Sequence, residues 1–416
     1  LSMQLCLPYA SVYMLALGLH DAQIGLISTI GMLGQMVMGL LGGVITDKLG
    51  RRATTAIFDV VAWCIPCAIW ACASVVGERW VFWSFLVASM INGTWQVTQN
   101  SWDCLMVEDA KREQITGIYT LVIISGHLSA LFAPIAAVLV ARYDLVPAVR
   151  ILYLNALIVM AAKIVILYLW SHETERGVIR RQETAGVPLW RLLAGYRSVL
   201  GIIRRSPGTI FSLVIAALVG AVGTVNTTFW QVIAAKKLLV PEPLLPFFPM
   251  ARSIIAILFL FTVVPRVTNA LHHKRPLLLG FLVYAAGQSL LAAIPAPGGT
   301  SATAATYCLL GVSLLADGFG AGILAMLAEA LVALNVDQAE RSRVMAVQRT
   351  VIMLAVAPFG WIGGLLSGVN RTLPFVLTVG LLAIGVAVTL GYYRGRPAAV
   401  AAAQPASAEQ PEPDPA

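Results

Sequence analysis

Apolar stretches of about twenty residues recur from one end of the chain to the other, and a bilayer is the solvent that accommodates such a repeat. Its hydrocarbon core, about 30 Å thick, is crossed by a helix of about 20 predominantly apolar residues. Twelve segments approach that length: residues 1–18, 22–46, 54–76, 79–107, 114–141, 148–170, 208–235, 244–265, 276–295, 302–333, 344–367 and 372–393. Too little polar sequence remains between them to build a soluble module. Of the 416 residues 59% are hydrophobic and 12% charged, against about 25% charged in an ordinary soluble domain. These proportions exclude a soluble enzyme, a disordered chain and a secreted disulfide scaffold. The sequence predicts an all-α polytopic membrane protein with twelve transmembrane helices.

Lys and Arg in the connections fix orientation. With both termini inside, the inner connections hold 19 basic residues and the outer ones 6, namely Arg79, Arg142, Arg150, Lys236, Lys237 and Arg371. That bias predicts a multi-pass protein of the cell inner membrane with both termini in the cytoplasm. The longest polar stretch, residues 171–207, divides six spans from six. The expected organisation is a first six-helix bundle over 1–170, a cytoplasmic linker over 171–207, a second bundle over 208–393 and a disordered tail over 394–416, rich in Pro, Ala and Glu. Within the linker, residues from Pro188 through Leu193 suit an amphipathic helix on the inner surface. The chain begins with Leu inside an apolar run, which reads as a first helix short of part of its start, or a misassigned start codon.

The net charge of +8 is spread over short clusters between spans, so nucleic acid is not an expected partner. Five of the six cysteines lie in apolar stretches. Cys64-Ile-Pro-Cys67 has redox spacing but lacks a strand–helix context, and packing is the better account. The adjacent pair His272-His273 does not make a metal site by itself. No H-E-x-x-H, G-x-S-x-G or Walker loop is present, so no catalytic residue, metal or cofactor is expected.

The two halves resemble each other. The connection Glu108-Asp109-Ala110-Lys111-Arg112-Glu113 after span four is matched by Asp337-Gln338-Ala339-Glu340-Arg341-Ser342-Arg343 after span ten. Each precedes a helix containing Ala-Pro, at Ala133-Pro134 and Ala357-Pro358. Repeated halves are the build of many secondary transporters, with the substrate site between them. Between spans two and three stands Gly43-Val44-Ile45-Thr46-Asp47-Lys48-Leu49-Gly50-Arg51-Arg52. This run resembles the cytoplasmic loop signature of the major facilitator superfamily, G-x-x-x-D-[RK]-x-G-R-[RK], at every defined position. The resemblance implies twelve spans in two pseudo-symmetric six-helix bundles, with spans one, four, seven and ten lining a central cavity. It also implies that Gly43, Asp47, Lys48, Gly50, Arg51 and Arg52 belong to a gating charge network, with Asp103 or the Glu108-Asp109 pair as partner of Arg51. Gly39 and Gly43 form a small-residue face on which another helix can approach.

Ionisable groups inside spans are functional candidates by default. Asp317, about halfway along span ten, suits a coupling proton or a cationic substrate. Arg252 in span eight and Arg349 in span eleven suit the cavity, Arg349 alternatively pairing with Glu329. Lys163 is placed to snorkel, and Asp59 to complete the gating charges. His127, central in span five, titrates near neutral pH when unperturbed. Span four carries Asn92, Trp95, Gln96 and Gln99, of which Asn92, Gln96 and Gln99 share one helical face. Asn226, Trp230 and Gln231 in span seven repeat the pattern, and Tyr9 and Tyr13 lie one turn apart in span one. The expected function is secondary active transport of a small solute by alternating access, with protons as the coupling ion, in a monomer. The alternatives are a membrane-embedded enzyme or a transporter-like sensor. Asp317 points to a cation, Arg252 to an anion and the amide and indole groups to a neutral solute, so the sequence names no compound.

Overall fold

The computed structural model describes residues 2–73, 75, 77–187, 207–262, 274–334 and 350–394. Twelve apolar segments follow one another as expected. Among the described residues ten are long and apolar enough to cross a bilayer as single spans. The first is shorter. It runs through Ser2–Cys6, a 3-10 turn at Leu7–Tyr9 and Ala10–Ala16, the turn falling where Pro8 withholds an amide from the helical ladder. The fourth is split at Gly93-Thr94 into Val81–Asn92 and Trp95–Val107. Span two is the single helix Asp21–Leu49, and span three is Arg51–Asp59, a π turn at Val60–Cys64 and Ile65–Cys72. Span five joins Arg112–Ala130 to Ala133–Tyr143, and span six is Leu145–Trp170. The later spans are Pro207–Lys236, Phe247–Thr262, Lys274–Ala293, Ala304–Leu334, Thr350–Val369 and Leu373–Arg394.

Among the described connections, the linker differs from expectation. The linker contains a helix, Glu175–Glu183, with Glu175 in its first turn and Arg180 and Arg181 in its last, the order that complements a helix dipole. Thr174 caps it by accepting the Gly177 amide at 3.0 Å. The surface helix expected from Pro188 lies outside the described residues, as do the His272-His273 pair and the tail from 395.

Spans two and eleven meet on glycine. A Cβ added to Gly25 would lie 2.9 Å from the Gly364 Cα, and one added to Gly364 would lie 2.6 Å from the Asp21 carbonyl oxygen. Such backbone contact is what small residues permit within a membrane. The expected close approach at Gly39 and Gly43 is not found, since both have open space around them. Gly42 is the residue against span four, where a Cβ would meet the Gln96 carbonyl and the Val97 Cα at 3.4 Å. One residue along a helix is a 100° rotation, which turns Gly43 away from that contact.

Polar contacts also join the first six spans to the last six. Ser11 donates to the Thr228 carbonyl at 2.7 Å, and Ser367 donates to Asp21 Oδ2 at 2.9 Å. Arg371 lies 3.7 Å from the same carboxylate. The Thr29 hydroxyl donates to the Ala357 carbonyl at 2.7 Å and accepts the Trp361 amide at 2.9 Å. Except for Ala357, near the middle of span eleven, these residues lie toward the ends of the spans remote from the linker, called here the far end.

Candidate functional site

At the linker end, the loop between spans two and three is the centre of a charge network. Gly50 turns the chain at φ 88°, a conformation an L side chain resists, so span three starts directly after span two. Arg51 reaches back to Asp47 at 3.0 Å and across to Glu108, which it holds through Nε at 3.1 Å and Nη2 at 3.0 Å. The Arg51 side chain is 4% exposed and that of Glu108 is 12%. Glu108 also accepts the Thr174 hydroxyl at 2.6 Å. Burial pushes the Glu108 carboxyl up, but the bonds from Arg51 and Thr174 outweigh it and hold the group below the usual glutamate range. Of the partners considered for Arg51, the structure selects Glu108. Asp103 instead accepts Gln99, one turn away, at 2.9 Å; Glu108, five residues further, is about 140° around the helix axis.

The network extends into the linker. Glu173 accepts the Arg51 amide at 2.7 Å and the Arg52 amide at 3.1 Å, so a carboxylate caps the positive end of span three. Thr184 donates to the Asp47 carbonyl at 3.2 Å, fastening the far side of the linker helix. Arg52 stacks over the Tyr168 ring at 4.4 Å and donates to the Tyr168 carbonyl. Lys48 is half-buried at the edge of this group. Asp59 does not join it. Buried at 1% side-chain exposure, it pairs with Lys163 of span six at 2.6 Å, immediately before the π turn of span three.

A second polar cluster lies inside the last six spans. Asp317 is 1% exposed. Its Oδ2 accepts Gln288 Nε2 of span nine at 2.7 Å, and Gln288 Oε1 accepts the Thr378 hydroxyl of span twelve at 3.0 Å. Arg252 Nη2 stands 3.9 Å from Asp317 Oδ2 and 3.4 Å from Asn226 Oδ1. Asn226 donates to the Tyr284 hydroxyl at 3.1 Å. Asp317 Oδ1 and Trp230 Nε1 are buried without a hydrogen-bond partner among the described residues. Gly287 makes room for the acid: a Cβ there would press on Asp317. The structure thus brings Asn226, Trp230, Arg252 and Asp317 together, with Gln231 half-buried nearby in sequence. Sequence reasoning missed Tyr284, Gln288 and Thr378, although a glutamine in the otherwise apolar span nine was a visible signal.

The remaining candidates are dispersed. Tyr9 and Tyr13 are fully buried; Tyr13 donates to the Trp70 carbonyl at 3.0 Å and packs on Phe85 and Tyr153. Asn92 donates to the Ala62 carbonyl at 2.8 Å, tying span four to span three. Trp95 is half-buried and Gln96 buried. His127 lies on the Arg112–Ala130 helix, and its side chain is outside the described residues, as are Arg349 and the Glu329 side chain. Among the described residues no cluster of His, Cys, Asp and Glu could hold a metal.

Comparison with solved structures finds the same fold in several transporters. The nucleoside transporter NupG matches with a TM-score of 0.67 at 15% identity, over 94% of this chain and 97% of that one. A POT family transporter in complex with 5-aminolevulinic acid matches at 0.68 and 14%, over 95% and 92%. The xylose transporter XylE from E. coli matches at 0.64 and 15%, over 94% and 92%. Identities this low show the fold alone. Among curated protein sequences no significant match is found. The family model of the Major Facilitator Superfamily matches residues 1–316, three quarters of the chain and the whole of the loop signature. The chain therefore belongs to the major facilitator superfamily and is a secondary transporter.

Proposed function

We propose that the protein moves a small solute by alternating access between two bundles, residues 1–170 and 208–393, and that a proton on Asp317 couples the movement. The observation that carries this reading is the buried Asp317–Gln288–Thr378 chain with Arg252 beside it. An acid enclosed in a membrane protein and held by neighbours on three other spans is costly unless it titrates or binds. Arg252 is 37% exposed and Asp317 is 1% exposed, so a change at the arginine reaches the acid without opening it to bulk solvent.

Two sets of contacts suit the gating role. Glycine-to-glycine packing of spans two and eleven, with Asp21, Ser367 and Thr29 as polar partners, closes the far end. The Asp47–Arg51–Glu108–Thr174 chain joins spans two, three and four to the linker at the other end. With the basic residues concentrated at the linker end, that end faces the cytoplasm of the inner membrane and both termini lie there. The working unit is a monomer.

Purified protein in proteoliposomes should show saturable counterflow of its solute, with accumulation driven by a pH gradient. Reporter fusions at the two termini should both read cytoplasmic. Binding without exchange, or termini on opposite faces, would refute the reading.

A further inference from the structure

We infer that the solute is an anion, a carboxylate or phosphate, and that it is bound by the incompletely paired guanidinium of Arg252. The inference rests on the transport reading above and decides among the charges that the sequence left in conflict.

A cation would need the Asp317 carboxylate. That group is 1% exposed, its Oδ2 is occupied by Gln288 at 2.7 Å, and its Oδ1 faces the backbone of Gly287. Nothing arriving from a cavity meets it first. Arg252 is the opposite case. Its side chain is 37% exposed, although it sits within span eight. The exposure is not toward lipid. The exposed apolar residues of this span are Phe247, Ile254 and Leu258, whereas Arg252 shares the opposite face with buried Ile255 and Phe259. That face packs against span ten, where Gly318 receives Ile255 and Gly322 receives Phe259. An arginine on an inward face with a third of its side chain accessible borders a water-filled space.

The guanidinium is also incompletely used. Its polar contacts among the described residues, to Asn226 at 3.4 Å and to Asp317 at 3.9 Å, run through Nη2. Both distances are long for charge-assisted bonds, which run about 2.7–2.9 Å. Nε and Nη1 are left over, and either one forms with the loosely held Nη2 an edge that grips a carboxylate or phosphate in two parallel bonds, as Nε and Nη2 of Arg51 grip Glu108. The Trp230 ring lies 6.0 Å below the guanidinium, and its indole N–H is buried without a partner among the described residues, a further donor for an anionic oxygen. An anion so placed competes with Asp317 for the same positive charge. The acid, facing Arg252 and Tyr284, is then left with a negative neighbour, and taking up one proton restores neutrality. Each monoanion would thus travel with one proton.

The test is a thermal-melt screen of the purified full-length protein. It uses a metabolite panel balanced among carboxylates, phosphates, amines and neutral compounds, with benzoate, benzylamine and benzamide as matched probes of one shape. Anions should supply the stabilising compounds. Their apparent affinity should fall at least tenfold in Arg252→Gln and recover in part in Arg252→Lys. Because Arg252→Gln orphans the acid and could unfold the protein, the double variant Arg252→Gln/Asp317→Asn provides a folded background, in which anion binding should be absent. Stabilisation confined to amines or neutral compounds, a panel in which no anion acts, or anion binding unchanged in the double variant would overturn the inference. Counterflow of the hits separates this from the transport reading. An anion bound but not carried refutes transport and leaves the anion site standing, whereas an amine carried saturably does the reverse.

Discussion

Thr29 of span two places its hydroxyl inside the helical ladder of span eleven, accepting the Trp361 amide at 2.9 Å while donating to the Ala357 carbonyl at 2.7 Å. In an uninterrupted helix those two backbone groups would bond each other, and a side chain that inserts there is a recognised cause of a helix break. Pro358 lies between them and already weakens the ladder. One hydroxyl thus ties the far-end closure to the conformation of a helix in the other half.

Thr29→Val keeps the shape and removes the hydroxyl. A net hydrogen bond is worth about 0.5–1.5 kcal/mol, so the far-end-closed population should fall by roughly two- to tenfold relative to the open one. Spin labels in the connections after spans three and nine, one in each half, should report longer distances. Unchanged distance distributions would show that the inserted hydroxyl is incidental.

Gly364→Ala should have a larger effect by overpacking. The new methyl would lie 2.6 Å from the Asp21 carbonyl and 3.0 Å from the Gly25 Cα, both backbone atoms that cannot swing aside. Such insertions cost about 1–3 kcal/mol. Gly368→Ala, one turn on, has nothing within 4 Å and serves as the control. Labels across the far end should separate in the first variant and not in the second.

The linker-end network should respond to acid late. The folded-state value of Glu108 lies below the ordinary range, so its contribution to stability is fully present above the unfolded value of about 4.3. It is lost as pH falls through the lowered folded value. Amide exchange over Glu175–Glu183, corrected for intrinsic rates, should stay protected through pH 5 and rise at lower pH. Glu108→Gln should lose that dependence and expose the linker helix at all pH values. Truncating one member of a nearly buried pair costs about 3–5 kcal/mol, and Arg51→Gln should act in the same direction.

Much of the fold was legible because membrane spans are announced by length and apolarity. The loop signature was legible because its charges stand in a short polar connection. Legibility stopped where a residue's meaning depends on what another span brings to it. Nothing local tells that Gly25 opposes Gly364, or that Gly42 packs where Gly43 does not. The Asp59–Lys163 pair joins two residues 104 positions apart, and each reads as a separate oddity in sequence. Thr29 is one hydroxyl in an apolar helix, with no mark of the Pro358 break it fills. The linker helix was nine mostly polar residues without an apolar stripe, yet Thr174, Glu175 and the Arg180-Arg181 pair spelled out its cap and its dipole charges. In the polar cluster the charged members were found, as were Asn226 and Trp230 of span seven, but Gln288, Tyr284 and Thr378 were not, because burial cost directs attention to charge, while Gln288 and Tyr284 do the orienting.

The central claim is that Asp317 carries the coupling proton. It is tested most directly by the ratio of solute uptake with and without an inward acid gradient, in proteoliposomes containing the native protein or Asp317→Asn. The ratio should exceed one by several-fold for the native protein and fall to one for the variant. An acid gradient that accelerates uptake equally in both would contradict the account.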